Sequence, residues 1–196
     1  MHTPINIGTE QDFDLAEIKD MYRLRARVFG ERMGWEVTIF SGMEIDEYDA
    51  LSPYYLIVRN SDGQLCGCVR IMPTEGPYML KNTFPELLSG HVAPENPHIW
   101  ELSRFAIRSD SKRNFGFTEL VVNVMRELDN FANRMNISRY VIVTTTAIER
   151  LLKHIGIEMY RFGPPRRIGV EKTVALTIEV SERTHHVLFG DAEETV

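Results

Sequence analysis

Residues 54–72 read YYLIVRNSDGQLCGCVRIM: two apolar runs, YYLIVR and QLCGCVRIM, joined by Asn60-Ser61-Asp62-Gly63, a connector with turn chemistry. That pattern is a β-hairpin. Further along, HIWELSRFAI (98–107) alternates in the manner of a strand, which on a regular pleat puts Glu101 and Ser103 on one face and Leu102 and Arg104 on the other. RYVIVTTT (139–146) and TVALTIEV (173–180) read as further strands. Between HIWELSRFAI and RYVIVTTT lies a strongly marked helix, in which Phe117, Leu120, Val121, Val124, Met125, Leu128, Phe131 and Met135 recur at helical spacing. AIERLLKHIG (147–156) is a short helix closed by Gly156, and Ser181 can cap a terminal one. On the N-terminal side, Ile18, Met21, Leu24 and Val28 repeat within Asp12–Trp35, interleaved with Arg23, Arg25, Arg27 and Arg32: an amphipathic helix with a basic side. Residues 74–97 are rich in Pro and Gly and predict irregular backbone around a short helix. Helices set among hairpins and single strands imply an α/β fold, a single-domain mixed-sheet sandwich with helices on both faces.

The 196 residues are 43% hydrophobic and 26% charged, with no repeat, low-complexity tract or linker, so residues 1–196 are expected to form one domain. A chain of this length buries roughly 70% of its unfolded surface and needs neither metal nor disulfide to fold. The net charge of −6 argues against a broad electrostatic grip on nucleic acid. Cys66 and Cys68 sit too close on one strand to bridge, and a lone C-x-C is no zinc site, so they are expected as small residues on one strand face of a reduced intracellular protein. No stretch approaches ~18 apolar residues and the N-terminus lacks a basic start, so a soluble, cytoplasmic protein with no membrane partner is expected. The six histidines show no H-x-x-x-H or H-E-x-x-H spacing, hence no catalytic metal, and G-x-G-x-x-G, P-loop and G-x-S-x-G motifs are all missing.

Three features carry chemistry. The first is a charged set, Arg25, Asp46, Asp49, Arg70, Glu101 and Arg104: charges on apolar strands are costly to bury unless paired, and the acidic run Glu44, Asp46, Glu47, Asp49 offers the partners. It reads either as an ion-pair network tying the first helix to the sheet or as a polar site for a zwitterion such as an amino acid. The second is Arg113-Asn114-Phe115-Gly116-Phe117-Thr118 at a helix start, which resembles the phosphate cradle of acyl-CoA-dependent N-acetyltransferases, with Thr118 where that motif has a small residue. The third is the segment 147–172, where Arg150, Lys153, Arg161, Arg166, Arg167 and Lys172 face Glu149, Glu158 and Glu171, a net of +3 that leaves −9 on the other 170 residues. Such a patch is either a solvated charged face or a steering surface for an acidic macromolecule.

Taken together, LRARVFGERMGW, EIDEYD, GCVRI, TEGPYMLKNTFPELL, WELSRFAI and VTTTAIERLLKHIG resemble the acyl-homoserine-lactone synthases of bacterial quorum sensing, over roughly residues 20–180. YMLKNTFPELL and RFGPPRRIGVEKTVAL are similar to synthases that use long 3-oxoacyl chains. The resemblance implies an N-acetyltransferase-like fold. It also implies two substrates: S-adenosylmethionine (SAM), and an acyl chain carried on acyl carrier protein, an acidic partner for the patch Arg150, Lys153, Arg166, Arg167 and Lys172. No further cofactor is implied.

By motif position, the family's functional set falls on Arg25, Phe29, Trp35, Asp46, Asp49, Arg70, Glu101 and Arg104. Glu101 is expected to act as base, directly or through water, with backbone groups near Ser103 and Arg104 polarising the thioester carbonyl. Arg25, Asp46, Asp49 and Arg70 would hold SAM, with Phe29 and Trp35 facing its cation or adenine. The acyl tunnel is expected between the sheet and the second and third helices, walled by Met79, Leu102, Phe105, Met125 and Leu152, with Val141, Val143 and Ile155, and Thr144 is expected to meet a 3-oxo oxygen. The alternatives are an acyl-CoA-dependent N-acyltransferase acting on another amine, and a non-catalytic acyl-chain-binding module.

Overall fold

The computed structural model describes residues 4–108 and 114–190. In chain order, β1 (Ile5–Gly8) leads to α1 (Leu15–Arg25), which continues as a π-helical segment, Ala26–Arg32. The short hairpin β2 (Ile39–Phe40) and β3 (Met43–Glu44) follows, then a 3-10 turn over Glu47–Leu51 and the hairpin β4 (Tyr54–Arg59) and β5 (Leu65–Pro73). After α2 (Met79–Asn82) and a second 3-10 turn, Pro85–Leu88, come β6 (Ile99–Ile107), α3 (Asn114–Met135), β7 (Arg139–Thr145) and α4 (Thr146–Ile155). The chain closes with β8 (Met159–Arg161), β9 (Arg166–Ile168), β10 (Glu171–Glu179) and α5 (Glu182–Phe189).

The expected hairpin forms because Asn60 builds its own turn: its side-chain oxygen accepts from Asp62 N at 3.0 Å and Gln64 N at 2.9 Å, and Gly63 takes a φ of +76°. The main sheet has the order β1-β4-β5-β6-β7-β10-β8, with β9 also on β10. Every pair is antiparallel except β6–β7.

Strand periodicity divides the core into two layers. Tyr55, Ile57, Cys68 and Ala106 meet Ile18, Met21 and Leu24 of α1 on one face. Leu56, Val58, Val69, Ile71, Ile142 and Val174 meet α3, with Leu152 of α4 and Leu188 of α5, on the other. Helices thus cover both faces. Gly156 closes α4 with a φ of +98°, and the Ser181 hydroxyl accepts from Thr184 N at 3.2 Å to cap α5. No helix among the described residues is long and apolar enough to cross a membrane.

Three expectations change. The run RYVIVTTT is strand only to Thr145, whose hydroxyl caps α4 by accepting from Ile148 N, so Thr146 is helical. Cys66 and Cys68 do not share a face. A register shift at Val58/Arg59 puts Cys66 against the α3-side core and Cys68 against α1. Burial pushes the Cys68 thiol up to about 12. Arg25 does not lie on the basic side of α1: it is fully buried on the apolar stripe between Met21 and Phe29.

Leu128 sits at the centre of the α3 layer with 1% exposure. Leu128→Ala is expected to cost about 2–5 kcal/mol through lost contacts and residual cavity, read as a lower urea midpoint at unchanged slope.

Candidate active site

Arg25 emerges from α1 into a cluster of acids. Its Nε donates to Glu44 Oε2 at 2.5 Å, and its two terminal nitrogens donate to the two oxygens of Asp49 at 2.8 Å each. Arg70, from β5, reaches Asp46 at 2.5 and 3.1 Å and Asp49 at 3.0 Å, while its Nε donates to the Ser103 hydroxyl at 3.1 Å. Arg104, from β6, binds Glu44 Oε1 at 3.1 and 2.7 Å and Asp46 at 2.8 Å. The acids are presented by a self-capped turn: Asp46 accepts from Tyr48 N at 3.0 Å, and Asp49 accepts from Asp46 N at 2.9 Å.

The electrostatics follow from this packing. Burial alone opposes ionisation of Asp49, but the guanidiniums of Arg25 and Arg70 outweigh it and hold the carboxyl well below its usual range. Burial lowers Arg104, the Glu44 and Asp46 carboxylates only partly offsetting it. Three guanidiniums meet the three carboxylates Glu44, Asp46 and Asp49, so these ion pairs balance, and Glu101 is held separately by backbone amides. Among these acids Asp46 is the most open, its side chain 10% exposed. No group of three or more His, Cys, Asp or Glu among the described residues could hold a metal ion.

The regular pleat expected for WELSRFAI does not hold. Arg70 faces Ser103 across the hairpin edge and Cys68 faces Ala106, so β6 carries one extra residue between these pairs, and Arg104 there has a φ of +54°. The bulge turns Arg104 onto the face of Glu101 and Ser103. Glu101 itself is fully buried, its two oxygens accepting from Met79 N at 3.0 Å and Leu80 N at 2.7 Å. Burial raises its carboxyl above the usual range, against the pull of these amides, of Arg70 and of a hydrogen bond with Ser103.

The parallel strands β6 and β7 pair only from Ile99–Leu102 to Arg139–Ile142 and then diverge. A cavity of about 170 Å³ occupies the gap, lined by Ser103, Arg104 and Phe105 from one strand and by Val143, Thr144 and Thr145 from the other. Phe29, Trp35, Met79 and Phe84 close one side and Phe117 and Ile148 the opposite one. A second cavity, about 350 Å³, shares Trp35, Met79, Phe84 and Arg104 with the first. Trp35 stacks on Phe29 at 5.3 Å and tilts against Phe84 at 5.6 Å, with Arg104 over Phe29 at 5.1 Å. The Trp35 indole N–H is buried without a partner.

Arg25, Asp46, Asp49, Arg70, Glu101, Ser103 and Arg104 therefore converge, with Phe29 and Trp35 beside them. Of the tunnel residues, Met79, Phe105, Val143 and Thr144 line the cavity. Leu102, Met125 and Leu152 do not: they belong to the α3-side core, Leu102 being the last residue of β6 still paired with β7. Val141 is likewise packed away from the gap, and Ile155 lies against the α3-side core. Glu44, one member of the acidic run, joins Arg25 to Arg104, and no charge-counting rule singles it out from Glu47. Phe84 lies in irregular backbone, where no periodicity points to a core position.

Arg150, Lys153, Arg166, Arg167 and Lys172 are all exposed, on α4, β9 and β10. Buried Glu149 binds Arg161 through both oxygens at 2.6 Å and also Lys153 at 3.1 Å, so part of the positive charge of this segment is internally matched. Arg113 of the proposed cradle lies outside the described residues; Gly116 and Thr118 fall in the first turns of α3.

Asp49 ionises more readily in the folded chain than in the unfolded one, so its stabilisation is complete above the unfolded carboxylate value near ~4 and fades as pH falls toward the folded one. Asp49→Asn removes a carboxylate shared by two buried guanidiniums and is expected to cost about 3–5 kcal/mol at neutral pH, with wild type and variant converging in urea titrations as the medium is acidified.

Residues 10–188 match the autoinducer synthase family. An acyl-homoserine-lactone synthase of Pseudomonas aeruginosa is 47% identical over 95% of this chain and 94% of its own length. The crystal structure of the AHL synthase LasI superposes with a TM-score of 0.91 at 49% identity, covering 96% of this chain and 95% of that one. TofI, solved in a ternary complex with an inhibitor and MTA, gives 0.80 at 32% identity over 96% of each chain. The architecture is N-acetyltransferase-like. The chain belongs to the autoinducer synthase family, the acyl-homoserine-lactone synthases, and is an acyltransferase.

Proposed function

We propose that the chain transfers a long 3-oxoacyl group from acyl carrier protein to the amine of SAM and then closes the lactone with release of methylthioadenosine, yielding a quorum-sensing signal in the cytoplasm. The observation that carries this reading is the junction of a buried cluster of ion-paired arginines and carboxylates with a largely apolar cavity running between two splayed strands. SAM bears a sulfonium, an ammonium and a carboxylate, net +1. Asp46 and the Arg104 guanidinium present opposite charges to its ends, while Trp35 and Phe29 supply faces for cation or adenine and the unpartnered indole N–H of Trp35 a free donor. The likeness of TofI, a protein solved with MTA, supports this substrate.

The SAM amine attacks the thioester carbon as a free base. Its proton passes to Glu101 through the Ser103 hydroxyl, which lines the cavity and bonds to that carboxylate. Beyond Leu102 the β6 edge has no β7 partner, so its backbone N–H groups can polarise the thioester oxygen. The thiol departs with a proton, leaving an amide. The methionyl carboxylate then attacks the carbon next to the sulfonium, the C–S bond breaks with its electrons on sulfur, and the lactone and methylthioadenosine separate. Positioning dominates this intramolecular step, and no cofactor is called for. Thr144, buried in the cavity wall, can donate to a 3-oxo oxygen. The exposed cations lie on α4 and β10, which carry the lining residues Ala147, Ile148 and Glu171, and on β9, which pairs with β10; this suits an acidic carrier protein.

Purified protein incubated with SAM and a 3-oxoacyl chain on carrier protein or CoA should release lactone and methylthioadenosine in equal amounts, seen by mass spectrometry. Glu101→Gln should lower kcat about 10²–10⁴-fold. An acylated product without methylthioadenosine would point instead to an N-acyltransferase for another amine, and no turnover with either donor to an acyl-chain-binding module.

Thr144→Val should reduce the preference for 3-oxo over unsubstituted chains about tenfold, by leaving the keto oxygen unpaired. An unchanged ratio in competition assays would remove Thr144 from chain selection.

A further inference from the structure

The turn between β9 and β10 is seated against the start of the site. Only Gly169 and Val170 separate the paired residues Ile168 and Glu171, and Gly169 takes a φ of +58°, which the favoured two-residue hairpin loops require at their first central position. Val170 N donates to Met33 O at 3.2 Å, so the turn is tied to the chain just after the π-helical segment. The approach leaves no room for a side chain. A Cβ at position 169 would lie 2.5 Å from Met33 O, 2.8 Å from Gly34 O and 3.0 Å from Trp35 Cδ1, all inside the roughly 3.5 Å at which such atoms ordinarily touch. Gly63, in the turn between β4 and β5, also has a positive φ, yet a Cβ there would meet nothing within 4 Å. The close approach is thus a feature of this place in the fold, not of hairpin turns as such.

Trp35 is the side chain this contact reaches. Phe29 stacks on its ring at 5.3 Å and Phe84 lies at 5.6 Å, while the edge that carries Cδ1 is toward the turn. Cδ1 is bonded to the indole nitrogen, the buried donor that has no hydrogen-bond partner. Ile168 and Gly169 line the 350 Å³ cavity together with Trp35, and Glu171 lines the first cavity with it. One hairpin turn therefore reaches both cavities, with Trp35 in the wall between them.

We infer that Gly169 is a positioning residue: having no side chain, it lets the β9–β10 turn seat on Met33–Trp35 and fixes the Trp35 indole in the orientation that SAM binding requires, a role that rests on the reading of this wall as part of the SAM site. A substituent at position 169 forces either the turn outward or the indole aside. The loss falls on binding rather than on the chemical step, because Glu101 is held by the amides of α2 and Ser103 by Arg70, not by this turn.

Trp35 and Trp100 are the two tryptophans of the chain, so in a Trp100→Phe background indole fluorescence reports Trp35 alone. There Gly169→Ala should shift the emission and increase quenching by acrylamide before any ligand is added. In turnover it should raise the KM for SAM roughly tenfold with kcat unaltered, the signature of lost binding rather than lost chemistry. Gly63→Ala strains a turn without creating a contact and should change neither readout. In a double-mutant cycle on SAM binding, Trp35→Phe, which removes the indole edge, should absorb most of the Gly169→Ala effect. Val170→Gly, at an exposed position, loosens the same seat with no clash. It should move emission and KM in the same direction by a smaller factor, and it decides the question if Gly169→Ala does not fold. Unaltered Trp35 emission, an unaltered KM for SAM, an equal loss in Gly63→Ala, or additive effects of Trp35→Phe and Gly169→Ala overturn the proposal. A shifted emission in a protein whose wild type binds no SAM keeps Gly169 as the residue that positions Trp35 and rejects the SAM reading instead.

Discussion

Three guanidinium groups buried under one sheet face make the rest of the architecture obligatory. A guanidinium removed from water costs several kcal/mol unless ion pairs and hydrogen bonds replace its hydration. Arg25, Arg70 and Arg104 come from α1, β5 and β6, and none has an adequate partner within its own element. Glu44, Asp46 and Asp49 supply that compensation from the β3 strand and the self-capped turn that follows it. The acids in turn cannot be buried without the arginines. Neither half is stable alone, so the N-terminal third of the chain and the strands are held in one register. Tyr55, whose hydroxyl donates to Asp49 at 2.9 Å, extends the same constraint into β4.

On this anchored face, two backbone irregularities open a passage. The extra residue in β6 turns Arg104 toward the acids, and the divergence of β6 from β7 removes the ladder where the cavity lies. Ordinary pairing there would fill the gap with main-chain hydrogen bonds. The positive φ of Arg104 is disfavoured for a side chain of this size and persists because Glu44 and Asp46 hold the guanidinium at the far end. Charge pairing thus supports the bulge, and the bulge shapes the site. Glu101 adds a further link, since its carboxylate binds the first amides of α2 and thereby fixes Met79 in the cavity wall.

The elements were legible because each carries its own periodicity. The hairpin at 54–72, the α3 stripe and the closing Gly156 depend on local spacing and turn chemistry, and they stand where those signals put them. The charged set was legible for a different reason: an arginine or glutamate inside an apolar run has to find a partner. Less accessible was anything set by a departure from regular geometry. Leu102, Met125 and Leu152 satisfy every rule for an apolar wall and pack into the core instead, because the wall begins only where β6 and β7 part.

Residue types and their spacing determined which segments are strands and helices, that a basic and an acidic set must meet, and that the chain resembles one family. Tertiary structure alone decided which partners meet: that Glu44 rather than Glu47 bridges Arg25 and Arg104, and that Glu101 is enclosed by α2. The physical reason is range. Periodicity and capping act over a few neighbouring residues, whereas ion pairing, strand divergence and cavity formation depend on groups tens of residues apart, whose distances follow only from the packed whole.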